Sequence, residues 1–224
     1  MLEKIISIDT DITQFFNSFH CPYFDTFMFT FSGKFIWVPM YAMILLLFFR
    51  KFKVKSAFIY TIGLVLTIVI TDQLCGSVFR PLFERLRPAN LENPISDFIH
   101  IVNNYRGGRY GFPSCHAANS FALATFLCFT VRKSRFVFFI LFWALLNSYT
   151  RLYLGVHYFG DLTVGAIVGV IVGFIMYFLS SFLSNKLYDN CMRDNNEILT
   201  LKYYDPMIIV GALTTISILI YSIF

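Results

Sequence analysis

Charge is the scarcest feature of this 224-residue chain: Asp, Glu, Lys and Arg together make up 14% of it. A soluble domain carries about 25%. With 57% hydrophobic residues, 28 of them phenylalanines counted over the chain, there are too few polar groups to cover a surface in water. Long apolar runs with so little charge point to lipid as the solvent. Cysteine is sparse as well. Cys21, Cys75, Cys115, Cys128 and Cys191 form no CxxC pair and no metal-ligand spacing, so neither a zinc site nor a disulfide framework is expected. No cleavable leader is expected either. Glu3, Asp9 and Asp11 interrupt the first twenty residues, and no basic start runs into an unbroken apolar stretch. The first hydrophobic span would then serve as an uncleaved targeting signal.

What is present is a series of apolar spans, expected at about 26–49, 56–78, 115–131, 136–151, 161–183 and 206–224. Each is close to the ~20 residues that cross ~30 Å of hydrocarbon. Ser32-Gly33-Lys34 interrupts the first, and the fourth is short. Ahead of them, residues 3–19 set Ile5, Ile6, Ile8, Ile12, Phe15 and Phe16 among polar residues. That pattern fits an amphipathic helix lying on the membrane, or an ordinary surface helix. The expected fold is all-α, an integral membrane bundle of about six transmembrane helices. Its expected divisions are an interfacial segment over 1–25, a core over 26–183, and a cytoplasmic connection with the last span over 184–224.

Basic residues orient the bundle. Arg50, Lys51, Lys53 and Lys55 crowd one short linker, and Arg132, Lys133 and Arg135 another; Lys186, Arg193 and Lys202 lie in the last connection. These belong on the cytoplasmic face. Arginines at 80, 85, 87, 106, 109 and 151 fall at the other face without matching carboxylates, which points to an anionic ligand rather than to topology control. Gly165, Gly169 and Gly173 repeat every four residues and read as a packing seam between helices.

Three polar stretches stand out at span ends on that second face. The first runs from Arg80 to Arg87-Pro88. The second is Pro113-Ser114-Cys115-His116. The third is Thr150-Arg151, then His157 and Asp161. On a helix, His157 and Asp161 would share a face. The carboxylate would then fix the imidazole tautomer and leave the other ring nitrogen free to attack. Arg151 could bind the oxygens of the group under attack. Ser114 is a good N-cap, and the helix start behind it offers N–H groups to an anion. His116, in the first turn, could protonate a leaving oxygen. Arg80 and Arg87 are seven apart, two turns along one helical face, and their guanidinium forks suit phosphate oxygens. Arg85 would point elsewhere on that helix and reads as an anchor for lipid head groups.

Taken together the stretches resemble the type 2 phosphatidic acid phosphatases (PAP2), a lipid phosphatase superfamily that shares its site with vanadium haloperoxidases. The family signature K-x6-RP, PSGH and SR-x5-H-x3-D appears here as Arg80-x6-Arg87-Pro88, Pro113-Ser114-Cys115-His116 and Thr150-Arg151-x5-His157-x3-Asp161, over roughly residues 26–183. The glycine-rich stretch 107–112 is similar to bacterial members. Arg80 stands where the family has Lys, Cys115 where it has Gly, and Thr150 where it has Ser.

The resemblance implies a PAP2/haloperoxidase-like core in which His157 forms a phosphohistidine. Asp161 would orient it, and His116 would serve as acid and then base. Arg80, Arg87, Ser114 and Arg151 would hold the phosphoryl oxygens. It implies no metal and no cofactor, since the arginines supply the electrostatics. The expected partners are a phosphorylated lipid and the bilayer, not nucleic acid. The expected location is a bacterial inner membrane with the site facing the periplasm. Lipid A phosphate or undecaprenyl diphosphate lead as substrates, with phosphatidylglycerol phosphate or phosphatidate behind. A lipid-to-lipid phosphotransferase and a non-catalytic lipid-phosphate binding protein are the alternatives.

Overall fold

The computed structural model describes residues 2–188 and 202–223, so Cys191 and Arg193 lie outside it. The described residues are helical, with one isolated bridge, Leu86 to Tyr110, and no named strand. Helix α1 (Leu2–Asn17) comes first. Helix α2 (Pro22–Phe31) and helix α3 (Val38–Lys51) follow, joined by a short 3-10 turn at Phe35–Trp37. Pro22 opens α2, where its missing N–H is no loss. The chain bends by 68° between Pro22–Phe31 and Phe35–Lys51. The break falls where Ser32-Gly33-Lys34 interrupts the apolar run, so the first expected span is a broken one.

Helix α4 (Val54–Gln73) passes through a π-turn, Leu74–Phe79, into the four-residue α5 (Arg80–Phe83). A stretch with no α-helix, but one 3-10 turn at Ser96–Phe98, then runs to Ser114. Helices α6 (Cys115–Val131), α7 (Ser134–Tyr153), α8 (Phe159–Leu187) and α9 (Asp205–Tyr221) complete the bundle. The continuous run Val54–Phe83, α7 and α8 are each long and apolar enough to cross a membrane, and the bent α2–α3 pair adds a fourth candidate. Helices α6 and α9 are apolar but only 17 residues each. The fourth span expected from sequence is longer than it reads, 20 residues as α7.

Helix α6 is the axis of the bundle, with most of its residues buried. Helix α8 lies against it along the glycine seam. A Cβ at Gly165 would stand 2.5 Å from the Ser114 carbonyl, and one at Gly173 2.5 Å from that of Ala122; Gly169 faces the carbonyl of Ala118. Only glycine lets the two backbones come this close. The wider core is aromatic. Trp37 packs edge-on to Phe31 and Trp143, and Tyr60 stacks on Phe52 and meets Phe126 and Tyr177.

The two ends of the bundle differ in chemistry. At one end the Lys51 ammonium donates to the Thr130 carbonyl, Arg132 donates to the Tyr177 hydroxyl, and the Tyr203 hydroxyl donates to the Val131 carbonyl. This is the end of the short basic linkers. The other end gathers the three polar stretches.

Candidate active site

His157 sits in the tight connection between α7 and α8. Gly155, at φ +68°, turns that connection in a conformation that favours glycine. The imidazole is almost wholly buried. Its position corrects the helical reading of the pair: His157 precedes α8, and Asp161 lies in the first turn of that helix. They still meet, because the Asp161 carboxylate folds back over the helix start. One oxygen accepts the Tyr158 backbone N–H at 3.0 Å and lies 3.3 Å from His157 Nδ1.

Arg87 fixes the other side of the ring. Its Nη1 lies 2.9 Å from His157 Nε2 and also donates to the Val156 carbonyl at 2.8 Å. A guanidinium can only donate, so Nε2 must be the acceptor and Nδ1 carries the proton toward Asp161. The lone pair on Nε2 therefore faces the Arg87 guanidinium.

The route by which Arg87 arrives overturns the expectation that Arg80 and Arg87 share a helical face. Helix α5 stops at Phe83, and Glu84 turns left-handed at φ 45°. Arg87 follows in extended chain, its N–H bonded to the Arg109 carbonyl and its Nε to the Tyr110 carbonyl. The glycine-rich stretch gives it room. A Cβ at Gly107 would lie 3.3 Å from the Arg87 guanidinium, and one at Gly111 3.0 Å from Arg87 Cγ and 3.1 Å from Asp161 Oδ2.

Arg85 is the second correction. It is no head-group anchor: Nη1 pairs with Asp161 Oδ1 at 2.9 Å and Nη2 with Asp9 Oδ2 at 2.7 Å, while its guanidinium lies 3.8 Å from the centre of the Tyr158 ring. The loss of helix after Phe83 is again the reason, since it frees the side chain to turn toward α8. Asp9, Tyr105 and Asn93 also escape a reading by motif. The Tyr105 hydroxyl accepts from Arg151 Nη2 at 3.2 Å. Asn93 donates to the Arg87 carbonyl and to the Tyr158 hydroxyl.

Ser114 caps α6 as its type suggests, its side chain accepting the Ala117 N–H at 3.4 Å. Cys115 touches the Cys75 thiol, and both pack on Ala118. His116, Arg80, Arg87, Arg151 and His157 all line one cavity of about 1090 Å³. Five of the seven residues singled out by sequence thus share that cavity; Asp161 lies behind it against His157, and the Ser114 backbone N–H donates to the Asp161 carbonyl. Beyond them the cavity continues between α3 and α4 along apolar walls that include Val38, Leu45, Leu64 and Val69. Arg80 and Arg151 each bury an Nε–H that has no acceptor among the described residues.

Electrostatically the site is a pocket of like charge. Burial, then the neighbouring Arg80 and Arg151, bring Arg87 down from its ordinary 12.5 to about 10. Burial and the same three arginines hold His157 well below its ordinary 6.5, so the imidazole is neutral at physiological pH. Burial alone would raise the Tyr105 hydroxyl, but the Arg151 guanidinium on it brings the balance below 10.0. Clustered, part-desolvated cations repel one another, and an anion of two charges relieves that repulsion. The arrangement can therefore bind a phosphoryl group and present a neutral nitrogen to it.

The model of the PAP2 superfamily matches residues 60–184 of this chain. The chain belongs to the PAP2 superfamily. That match contains all seven site residues but excludes α1. A lipid A 4′-phosphatase of Bacteroides thetaiotaomicron is 49% identical over 223 residues, covering 100% of this chain and 99% of that protein. A lipid A 4′-phosphatase of Porphyromonas gingivalis is 35% identical over 167 residues, 75% of this chain and 70% of its own. An undecaprenyl-diphosphatase of Sulfolobus acidocaldarius is 32% identical over 139 residues, 62% of this chain and 61% of its own. The crystal structure of Aquifex aeolicus LpxE shares the fold, with a TM-score of 0.56 at 24% identity, over 75% of this chain and 93% of that one. This PAP2 member is a membrane lipid phosphatase.

Proposed function

We propose that this PAP2 phosphatase removes the 4′-phosphate of lipid A through a phosphohistidine on His157. The observation that carries the chemistry is the clamped imidazole, with Nδ1 on Asp161 and Nε2 against Arg87. The substrate reading is supported by full-length similarity to a lipid A 4′-phosphatase. His157 Nε2 attacks phosphorus as the bond to the sugar oxygen breaks, and His116, protonated as the phosphate's negative charge offsets the arginines around it, gives that oxygen its proton. Water then attacks the phosphohistidine, His116 takes a proton from it, and inorganic phosphate leaves with the Nε2 lone pair restored. Arg80, Arg87, Arg151 and the capped start of α6 at Ser114 hold the phosphoryl oxygens in both steps. Asp161 balances the charge that grows on the imidazole. With guanidinium groups in that role, activity is expected to persist in EDTA; loss restored by Mg²⁺ would contradict this assignment.

The cavity's apolar reach between α3 and α4 suits an acyl chain entering from the bilayer. The site is assigned to the extracytoplasmic face of a bacterial inner membrane, since the short basic linkers occupy the opposite end. The test is phosphate release by purified protein from lipid A with defined 1- and 4′-phosphates, undecaprenyl diphosphate, phosphatidylglycerol phosphate and phosphatidate. The highest kcat/KM is expected for the 4′-phosphate. A preference for undecaprenyl diphosphate would overturn the substrate but keep the chemistry. His157→Ala should lower release at least about a thousandfold, as removal of other nucleophiles does; retained release would end the phosphohistidine reading.

A further inference from the structure

Helix α1 is amphipathic the wrong way round for a helix docked on a protein. Asp9, Thr13 and Asn17 recur every four residues and face inward, with Thr13 and Asn17 fully buried. Ile5, Ile8, Phe15 and the following Phe19 face outward and are exposed. The polar stripe ends on the two flanks of the connection that carries His157. Asn17 donates to the Tyr153 carbonyl at 2.7 Å, at the end of α7. Thr13 accepts the Phe159 N–H at 3.1 Å, and Asp9 Oδ1 accepts the Gly160 N–H at 2.7 Å, at the start of α8. The first N–H groups of α8, orphans by helix geometry, are thus capped by side chains about 150 residues away in sequence. A Cβ at Gly160 would lie 2.8 Å from the Asp9 carboxylate, so glycine is what admits that carboxylate.

Asp9 does more than cap. Its second oxygen holds Arg85 at 2.7 Å, and Arg85 holds Asp161 at 2.9 Å on the oxygen that does not face His157. Asp161 is fully buried. The Tyr158 N–H holds one Asp161 oxygen and Arg85 is the cation that holds the other, and Arg85 takes its own orientation from Asp9 on one side and the Tyr158 ring on the other. We infer that α1 is a positioning helix of the active site, and that Asp9 is a positioning residue which aligns Asp161, and through it His157, by way of Arg85. This rests on His157 being the nucleophile. It places a functional residue outside the span that the superfamily model matches.

The test is Asp9→Asn in the full-length protein, assayed in micelles of a fixed detergent. The amide keeps an acceptor for Gly160 but loses the charge on Arg85. Supporting groups behind a reacting residue are worth about 10–100-fold in activity. A loss of kcat near tenfold or more is expected, with KM within about twofold, because Asp9 touches no substrate. Asp9→Glu, which restores the charge, should recover part of kcat. The double variant Asp9→Asn with Arg85→Gln should be no slower than Arg85→Gln alone, since both break one chain of contacts. Multiplied losses in the double variant, or an unchanged kcat in Asp9→Asn, would overturn the assignment. So would a kcat loss matched by the fraction of protein that has unfolded at the assay temperature. If Asp9→Asn does not fold, the same comparison is made with Arg85→Lys, which keeps the charge but cannot span both carboxylates; full kcat there overturns the chain. His157→Gln, run alongside, separates the two readings: if it retains turnover, the nucleophile assignment falls whatever Asp9 does.

Discussion

His157 is a neutral base held in a nest of cations, and its pH behaviour follows from that. Its folded pKa lies below the ordinary 6.5, mainly through burial and then through Arg87, Arg151 and Arg80. In the window below about 6.5 the unfolded chain binds a proton that the folded protein refuses. Stability from this group is therefore complete above 6.5 and declines as pH falls toward the folded pKa. Thermal unfolding of the wild type between pH 7.5 and 5 should show that decline, and His157→Gln should show less of it. An equal decline in both would mean that another group sets it. For turnover, an acid limb of kcat/KM owed to His157 should lie below 6.5 once the second ionisation of the substrate phosphate, about 6, has been measured on its own. Arg85 belongs to the same scale. A motif that names only the positions at its ends passes over it, and helical spacing turns it away from the site. It comes inward because Glu84 ends the helix.

At the scale of elements, the α6–α8 seam sets both the packing and the helix cap beside the site. Gly173→Ala and Gly165→Ala each push a methyl against a backbone carbonyl at 2.5 Å, that of Ala122 in one case and of Ser114 in the other. Overpacking of this kind costs about 1–3 kcal/mol, so both variants should unfold at lower temperature in detergent. Their kinetics should differ. Gly165→Ala displaces the helix cap beside the site and should lower kcat/KM, whereas Gly173→Ala, two turns away, should keep it once unfolded protein is discounted. Equal kinetic losses would show that the seam moves as one rigid piece. The periodic glycines were legible as a seam from spacing alone, but which helix met them was not. Helix α1 was legible only in its apolar half. Its isoleucines suggested an interface, while the inward stripe of Asp9, Thr13 and Asn17 acquires meaning only from the α8 start that it caps.

For the whole molecule, the assigned orientation puts Cys21 on the side of the site and Lys133 on the opposite side. Cys21 is partly accessible, beside Tyr153 and near the His157 connection. With the other cysteines replaced, a membrane-impermeant maleimide added to intact spheroplasts should label Cys21. A cysteine placed at the exposed Lys133 should react only after permeabilisation. The reverse pattern would turn the protein over in the membrane and place its substrate in the inner leaflet.

Composition dictated a lipid solvent, and apolar runs near the ~20 residues of a spanning helix dictated a helical bundle, because a helix satisfies its backbone within one span. Order along the chain placed two histidines, a carboxylate and three arginines at three span ends, and the resemblance of that pattern to the PAP2 signature pointed to phosphoryl transfer. What only tertiary structure decided is how the groups are held. Arg80 and Arg87 converge through a broken helix and an extended chain, not along a helical face. Asp161 reaches His157 by folding over a helix start. Arg85 and Asp9 join them across 76 and 151 residues of sequence. Local spacing reports the neighbours within a helix turn, whereas these contacts depend on where helices end and which ends pack together, which is a property of the whole bundle.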